Sequence, residues 1–185
     1  MGLRELTIAV WVIDTGPLSN FAVTGHLNVL QRLAPGGRLA VPDVVAAELA
    51  QAADPLIRGI VNLLWLDTHA LASDEEIEAF ARFARLLDTQ KGRNQGECAV
   101  LALAEVHQWE AVIDDEPAVR RGRRQGLVVH RTGKLLCDAI NQGIFTRPEG
   151  VDVVAALRDA GYRLPFGAEE FIAWAEANGL LGNAT

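Results

Sequence analysis

TIAVWVIDTGPLSNFA, residues 7–22, decides how the rest of the chain is read. Its first seven residues, Thr7 to Ile13, are rich in β-branched side chains and span the length of one strand. The run stops at Asp14, and Gly16-Pro17 breaks it. A helical stretch follows over roughly 18–33, with Gly25 as a candidate break. An acid at the end of a strand, just before a helix, is the feature on which the functional reading turns.

Outward from there the same alternation repeats. A short strand is expected over 38–41, followed by a helix from Pro42-Asp43 with Asp43 as its N-cap. Asp54-Pro55 ends that helix and opens another, which leads into a short strand near Trp65. Ser73 and Glu76 form a capping box. The helix behind it carries Ile77, Phe80, Phe83 and Leu87 as its core stripe. Residues 90–95 read as a polar loop, and Glu97 opens the very apolar helix CAVLALA. A strand over 111–113 ends in Asp114-Asp115, and Pro117 suits the first turn of the next helix. A strand over 127–130 and helices over 133–143, 151–160 and 168–178 complete the pattern. Strand and helix in series imply a parallel sheet covered by helices on both faces. Ligands in such sheets bind beyond the carboxyl ends of the strands.

Composition narrows the functional classes. The 185 residues suit one compact domain, and half of them are apolar, enough to bury a core. No apolar run approaches the roughly 18–20 residues of a membrane span. The opening residues, with Arg4 and Glu5, do not follow the basic-then-apolar pattern of a secretory leader. Cys98 and Cys137 lie in apolar helical patterns and read as buried thiols of a reducing cytoplasm. His26, His69, His107 and His130 are too scattered to make a zinc pattern with them. The net charge of −7 excludes a chain-wide basic field. Basic charge is local: Lys91 and Lys134 are the only lysines, and four arginines crowd into RRGRR, Arg120 to Arg124.

Asp14, Glu48, Glu97 and the Asp114-Asp115 pair all stand at or near the mouth of the expected sheet. Each has a plain reading of its own: a turn or cap for Asp14, a solvent-facing glutamate for Glu48, a helix-dipole partner for Glu97, an N-cap for either member of the pair. Together they are harder to dismiss. Several acids in one cleft do not stay ionised without a cation. Magnesium takes oxygen ligands and keeps water on its remaining positions. Such an ion makes a water more acidic and stabilises charge on a phosphate.

Four segments in order, VIDTGPLSNFA, VPDVVAAELA, GECAVLALAEV and AVIDDEPAVRRGRRQGL, resemble the PIN-domain ribonucleases, VapC-like proteins among them. The resemblance covers about residues 8–143. The segment from Asp138 to Ile172 resembles the tail of a poorly characterised prokaryotic subgroup. The resemblance implies a Rossmann-like three-layer α/β/α sandwich with a central, mainly parallel sheet. It divides the chain into a PIN domain over 1–145 and a C-terminal helical extension over 146–185 packed on it. It implies a Mg²⁺- or Mn²⁺-dependent endoribonuclease, cleaving to a 5′ phosphate and a 3′ hydroxyl. Asp14, Glu97 and Asp115 would hold the metal. Asp114 is the alternative or assisting ligand, and Glu48 would hold a second ion or position the attacking water. Thr15 and Ser19 match the small hydroxyl residues near the first acid, where they orient Asp14, hold a water, or serve as turn and cap residues. Many relatives are toxins that dimerise and are neutralised by a small antitoxin, so a homodimer and an antitoxin partner are expected, with no membrane.

An acidic protein must still meet a polyanion. Arg120, Arg121, Arg123 and Arg124, with Lys91 and Arg93 in the loop before Glu97, are the candidate phosphate contacts, with Arg131 and Lys134 following. A solvated face paired with acids is the other reading of the same residues. None of the tryptophans Trp11, Trp65, Trp109 and Trp174 lies in a basic stretch, so they read as core or interface rather than stacking platforms. A haloacid-dehalogenase-type phosphotransferase would need an acid where Gly16 stands. A receiver domain would need its acid pair at the first strand. A non-catalytic PIN-fold module that binds RNA or protein is the remaining alternative.

Overall fold

The computed structural model describes residues 9–87 and 94–182. Five short strands form one all-parallel sheet in the order β3-β2-β1-β4-β5. They are β1 (Trp11–Ile13), β2 (Leu39–Pro42), β3 (Leu66–His69), β4 (Glu110–Val112) and β5 (Val129–His130). β1 is central, with Trp11 opposite Leu39 on one side and Glu110 on the other. The α/β expectation holds.

The strand order has a consequence for function. From β1 the chain steps one way to β2 and β3, then crosses back to β4 and continues outward to β5. Right-handed crossovers put the connecting helices of these two halves on opposite faces. One half holds α1 (Thr15–Val23), α2 (Leu27–Leu33), α3 (Asp43–Ala50) and the single turn α4 (Pro55–Arg58). The other holds α5 (Asp74–Leu87), α6 (Gln95–His107) and α7 (Glu116–Arg124). The direction of winding reverses between β1 and β4. That reversal opens a crevice at their carboxyl ends, the place where open α/β sheets take ligands.

α6 is the central pillar. It packs against β1, β2 and β4, and every residue from Cys98 to Ala104 is buried. α5 lies along it, and α8 (Thr132–Asn141), α9 (Arg147–Asp159) and α10 (Phe171–Ala177) follow β5, each packed on the one before. Cys98 and Cys137 are both fully buried, and burial pushes their thiols up to about 12.

The candidate break at Gly25 is there: the 18–33 stretch is two helices, parted where Gly25 takes φ +76°, a left-handed value that favours glycine. Other local expectations are corrected. Asp43 is the first residue of α3 rather than its cap; Pro42 holds the cap position, and the Asp43 carboxylate accepts from the Val44 amide. β4 lies one residue before the expected 111–113, and β5 keeps only the last two residues of the expected 127–130. The capping box is present, with Ser73 N donating to Glu76 Oε2 at 2.8 Å and Glu76 N to Ser73 Oγ at 3.2 Å. The α5 stripe is narrower than expected: Phe83 and Leu87 are buried, but Ile77 is 52% exposed. Residues 77, 80, 83 and 87 drift around a helix of 3.6 residues per turn, so the first of them faces out.

Candidate functional site

Asp14 stands at the switch point. Its amide donates to the Val112 carbonyl at 3.1 Å, so β1 pairs with β4 up to the residue where α1 begins. Its carboxylate caps α1, accepting from Gly16 N at 3.4 Å. The residue is only 7% exposed. A carboxylate held there without a cation is costly. Burial, then the charge of Glu97 and less so that of Glu48, push its pKa up to about 7, against opposing amide bonds from Gly16 and Thr15.

Glu48 reaches the same place from α3, where Thr15 Oγ1 donates to its Oε2 at 2.6 Å. Thr15 therefore holds Glu48 through a hydrogen bond, and its neighbour in the chain is Asp14 itself. Ser19 lies one turn further along α1, half-buried.

The third acid comes from the first turn of α6. Glu97 is half-buried, and its pKa is raised by burial first, then by Asp115 and Glu48. Asp115 is at the start of α7, accepting from Ala118 N at 2.9 Å. Glu97 thus lies within electrostatic reach of Asp14, Glu48 and Asp115, each carried by a different element. Among the described residues, no three acid, histidine or cysteine side chains are gathered closely enough to chelate an ion as they stand. The donor set still suits a hard divalent cation in charge and in kind, being all carboxylate oxygen beside a buried, destabilised Asp14.

Gly96 was not among the residues singled out from sequence, yet it makes the cluster compact. A Cβ at this position would lie 2.8 Å from Asp14 Oδ1, 3.1 Å from Val45 Cγ2 and 3.6 Å from Glu48 Oε2. Only glycine lets the α6 N-terminus approach this closely. The one sequence signal was a glycine in the first turn of an otherwise apolar helix, immediately before Glu97.

The adjacent acids of the 114–115 pair part company. Asp114 turns toward α8, where Thr132 N donates to its Oδ1 at 2.8 Å and Thr132 Oγ1 to its Oδ2 at 2.6 Å. Tyr162 faces it from the segment after α9; burial, then the Asp114 charge, push the phenol well above its ordinary range. The metal assignment given to Asp114 from sequence thus meets a carboxylate already engaged in tying α8 to the sheet. Asp114→Ala is expected to cost about 2–3 kcal/mol, because it orphans the hydroxyl and amide of the fully buried Thr132. Thermal melting checks this, and Mn²⁺ affinity should stay within a few-fold of wild type; its loss would make Asp114 a ligand.

The candidate phosphate contacts are less concentrated than the sequence suggested. Lys91 and Arg93 lie outside the described residues. α7 starts at the site and runs away from it, so Arg124, nine residues past Asp115, is about 13 Å further along the axis. Arg120 is exposed and stands 4.0 Å from Glu116, and Arg121 is half-buried. Arg123 donates to the Val129 carbonyl at 3.2 Å. Arg131 pairs with Glu116 at 2.6 Å and also reaches the Asp114 carbonyl.

A doubly wound parallel sheet with an acidic crevice at its switch point defines a class of α/β proteins that handle a cation or a phosphate there. Within that class the assignment is specific. The PIN-domain family model DUF3368 matches residues 10–172, and the chain belongs to the PIN-domain family. PIN domains are generally nucleases that use divalent metals, and this chain has their nuclease-like fold. No curated protein matches the chain. Among the described residues, no helix is long and apolar enough to cross a membrane.

Proposed function

We propose that this protein is a Mg²⁺- or Mn²⁺-dependent endoribonuclease that hydrolyses RNA phosphodiester bonds. The observation that carries the reading is Asp14 at the switch point, whose pKa is raised to about 7 by burial first and then by Glu97 and Glu48. A cluster with that much unrelieved negative charge is built for a cation.

Asp14, Glu97 and Asp115 are the residues that would hold the ion. When bound, it supplies stabilisation of charge on the phosphate and a more acidic water. The chain's own residues do the rest. Thr15 occupies Oε2 of Glu48 and so leaves Oε1 to accept a proton from, and aim, the attacking water. Gly96 keeps the α6 end against Asp14, so the carboxylates remain fixed relative to the scissile phosphate. In-line attack then leaves a 5′ phosphate and a 3′ hydroxyl. The toxin role, an antitoxin partner, a homodimer and a cytoplasmic setting belong to the same proposal. Leu56 and Leu64, 62% and 91% exposed on the connection from α3 to β3, offer apolar surface for a partner. A short neighbouring reading frame for a DNA-binding protein would support the toxin role.

A non-catalytic binding module is the second reading, favoured by the acids not yet being gathered to chelating distance. One experiment separates the two. Purified protein with single-stranded RNA and Mn²⁺ is expected to yield 5′-phosphorylated fragments, and excess EDTA to stop the reaction. Mn²⁺ at a hundred times its dissociation constant should stabilise the fold by about 2.7 kcal/mol in a thermal melt. Cleavage that survives EDTA, or no thermal shift, defeats the metal-dependent reading.

A further inference from the structure

A cavity lined by Asp114 but by none of Asp14, Glu48, Glu97 and Asp115 is used by no part of the mechanism above. It measures about 240 Å³ and lies between the start of α8 and the segment joining α9 to α10. Four cations reach it from separate parts of the chain: Arg123 from α7, Arg131 from the β5–α8 junction, Lys134 from α8 and Arg163 from the segment after α9. Tyr162 and Trp174 line it as well. Phe166 belongs to the same aromatic wall. Phe166 sits 4.2 Å from the Trp174 ring and 5.1 Å from Phe171, and Gly133 leaves room for it, since a Cβ there would meet Phe166 at 3.3 Å.

The charges in this cavity are unequal in what they have left to offer. Lys134 is paired with Asp138 and Arg131 with Glu116. Arg123 donates to a neutral carbonyl, and Arg163 has no ion pair among the described residues. The only acid in the lining, Asp114, is engaged by Thr132. Among the described residues Arg123 and Arg163 therefore carry no ion pair, and Tyr162 and Trp174 stand with them in the lining. The volume is just under the roughly 300–1,000 Å³ of a drug-sized ligand site. It suits one base with its phosphate and not a paired helix. Asp114, in the cavity's lining, is the chain neighbour of Asp115.

We propose that this cavity is a nucleotide subsite for single-stranded RNA. It holds one nucleotide flanking the scissile bond, with the base against Trp174 and Tyr162 and the phosphate on Arg123 and Arg163. The proposal rests on the nuclease reading for its substrate class. Single strands are favoured because an unstacked base can leave its neighbours and lie on an aromatic face, which a paired one cannot.

Binding of a fluorescein-labelled single-stranded oligoribonucleotide to the full chain, in EDTA, tests this without cleavage. Arg163→Ala is expected to weaken binding about 5–10-fold and to flatten the logarithmic salt slope by about 1. Arg32→Ala, which removes an exposed charge on α2, should stay within twofold of wild type. The oligonucleotide should quench tryptophan fluorescence in the wild type, and the quench should largely vanish in Trp174→Phe. The subsite is refuted if the wild type does not bind, if Arg163→Ala behaves like Arg32→Ala, or if Trp174→Phe quenches as the wild type does. The two readings fail separately. A cleavage-dead Asp14→Asn beside an unaffected Arg163→Ala removes the subsite alone. An active Asp14→Asn beside a weakened Arg163→Ala removes the acid-cluster assignment alone.

Discussion

Asp14→Asn is expected to abolish metal-dependent RNA cleavage, by on the order of 10³-fold or more, while making the metal-free protein more stable at pH 8. Opposite signs for activity and stability distinguish a strained functional acid from a structural one. The stability sign follows from linkage. Burial first, then Glu97, raise the folded pKa of Asp14 to about 7, above the ordinary 3.8. Its favourable contribution is therefore fully present below about pH 4 and is lost as pH rises through 7. At pH 8 the ionised Asp14 is a net cost, which the uncharged asparagine removes. At ~1.4 kcal/mol per tenfold change in proton affinity, reduced because the other acids share the repulsion, the gain is about 2 kcal/mol. That corresponds to a melting shift of about 4–8 °C in a domain of this size. Saturating Mn²⁺ should erase the gain by stabilising only the wild type. Melting curves at pH 5 and pH 8, with and without Mn²⁺, check each step. A variant less stable than wild type at pH 8 would show that Asp14 is held by its cap and not strained by its neighbours.

Gly96→Ala is expected to do the reverse of an ordinary destabilising change. Alanine gains about 1 kcal/mol over glycine inside a helix. The new methyl would stand 2.8 Å from Asp14 Oδ1 and 3.1 Å from Val45 Cγ2. The Asp14 carboxylate is the more easily moved of the two, and it rotates away. Stability then changes by less than about 1 kcal/mol, because propensity and crowding oppose each other. Metal affinity and cleavage fall on the order of 100-fold, since a misplacement of about 1 Å among reacting groups is enough for that. Calorimetric Mn²⁺ titration and cleavage rates of the folded variant provide the check. Wild-type metal affinity in Gly96→Ala would mean that the close approach of α6 to Asp14 has no functional purpose.

The sheet class and the strand-end acids Asp14, Asp114 and Asp115 were legible in the residues alone. The strand Trp11–Ile13, within the β-branched run, the buried CAVLALA helix and the strand-end Asp14 follow from local rules: β-branched runs make strands, and apolar helices are buried. The sequence also marked Glu97, because an acid opening so apolar a helix needs a reason. Tertiary structure alone decided how these acids relate. The resemblance preferred Asp115 to Asp114 as a ligand, but that the Asp114 side chain turns to Thr132 and that of Asp115 to the start of α7 is set by the path of β5 and α8. Gly96 matters through what stands beside it, Asp14 and Glu48, which are 82 and 48 residues earlier in the chain. Trp174 lies in no basic stretch, yet it shares a cavity with Arg123 and Arg163 because the chain after α9 folds back over the start of α8. The physical reason is the same in each case. Periodicity and propensity act over a few residues, whereas electrostatic repulsion, close approach and cavity lining depend on distances that arise only when the crossovers close the sheet.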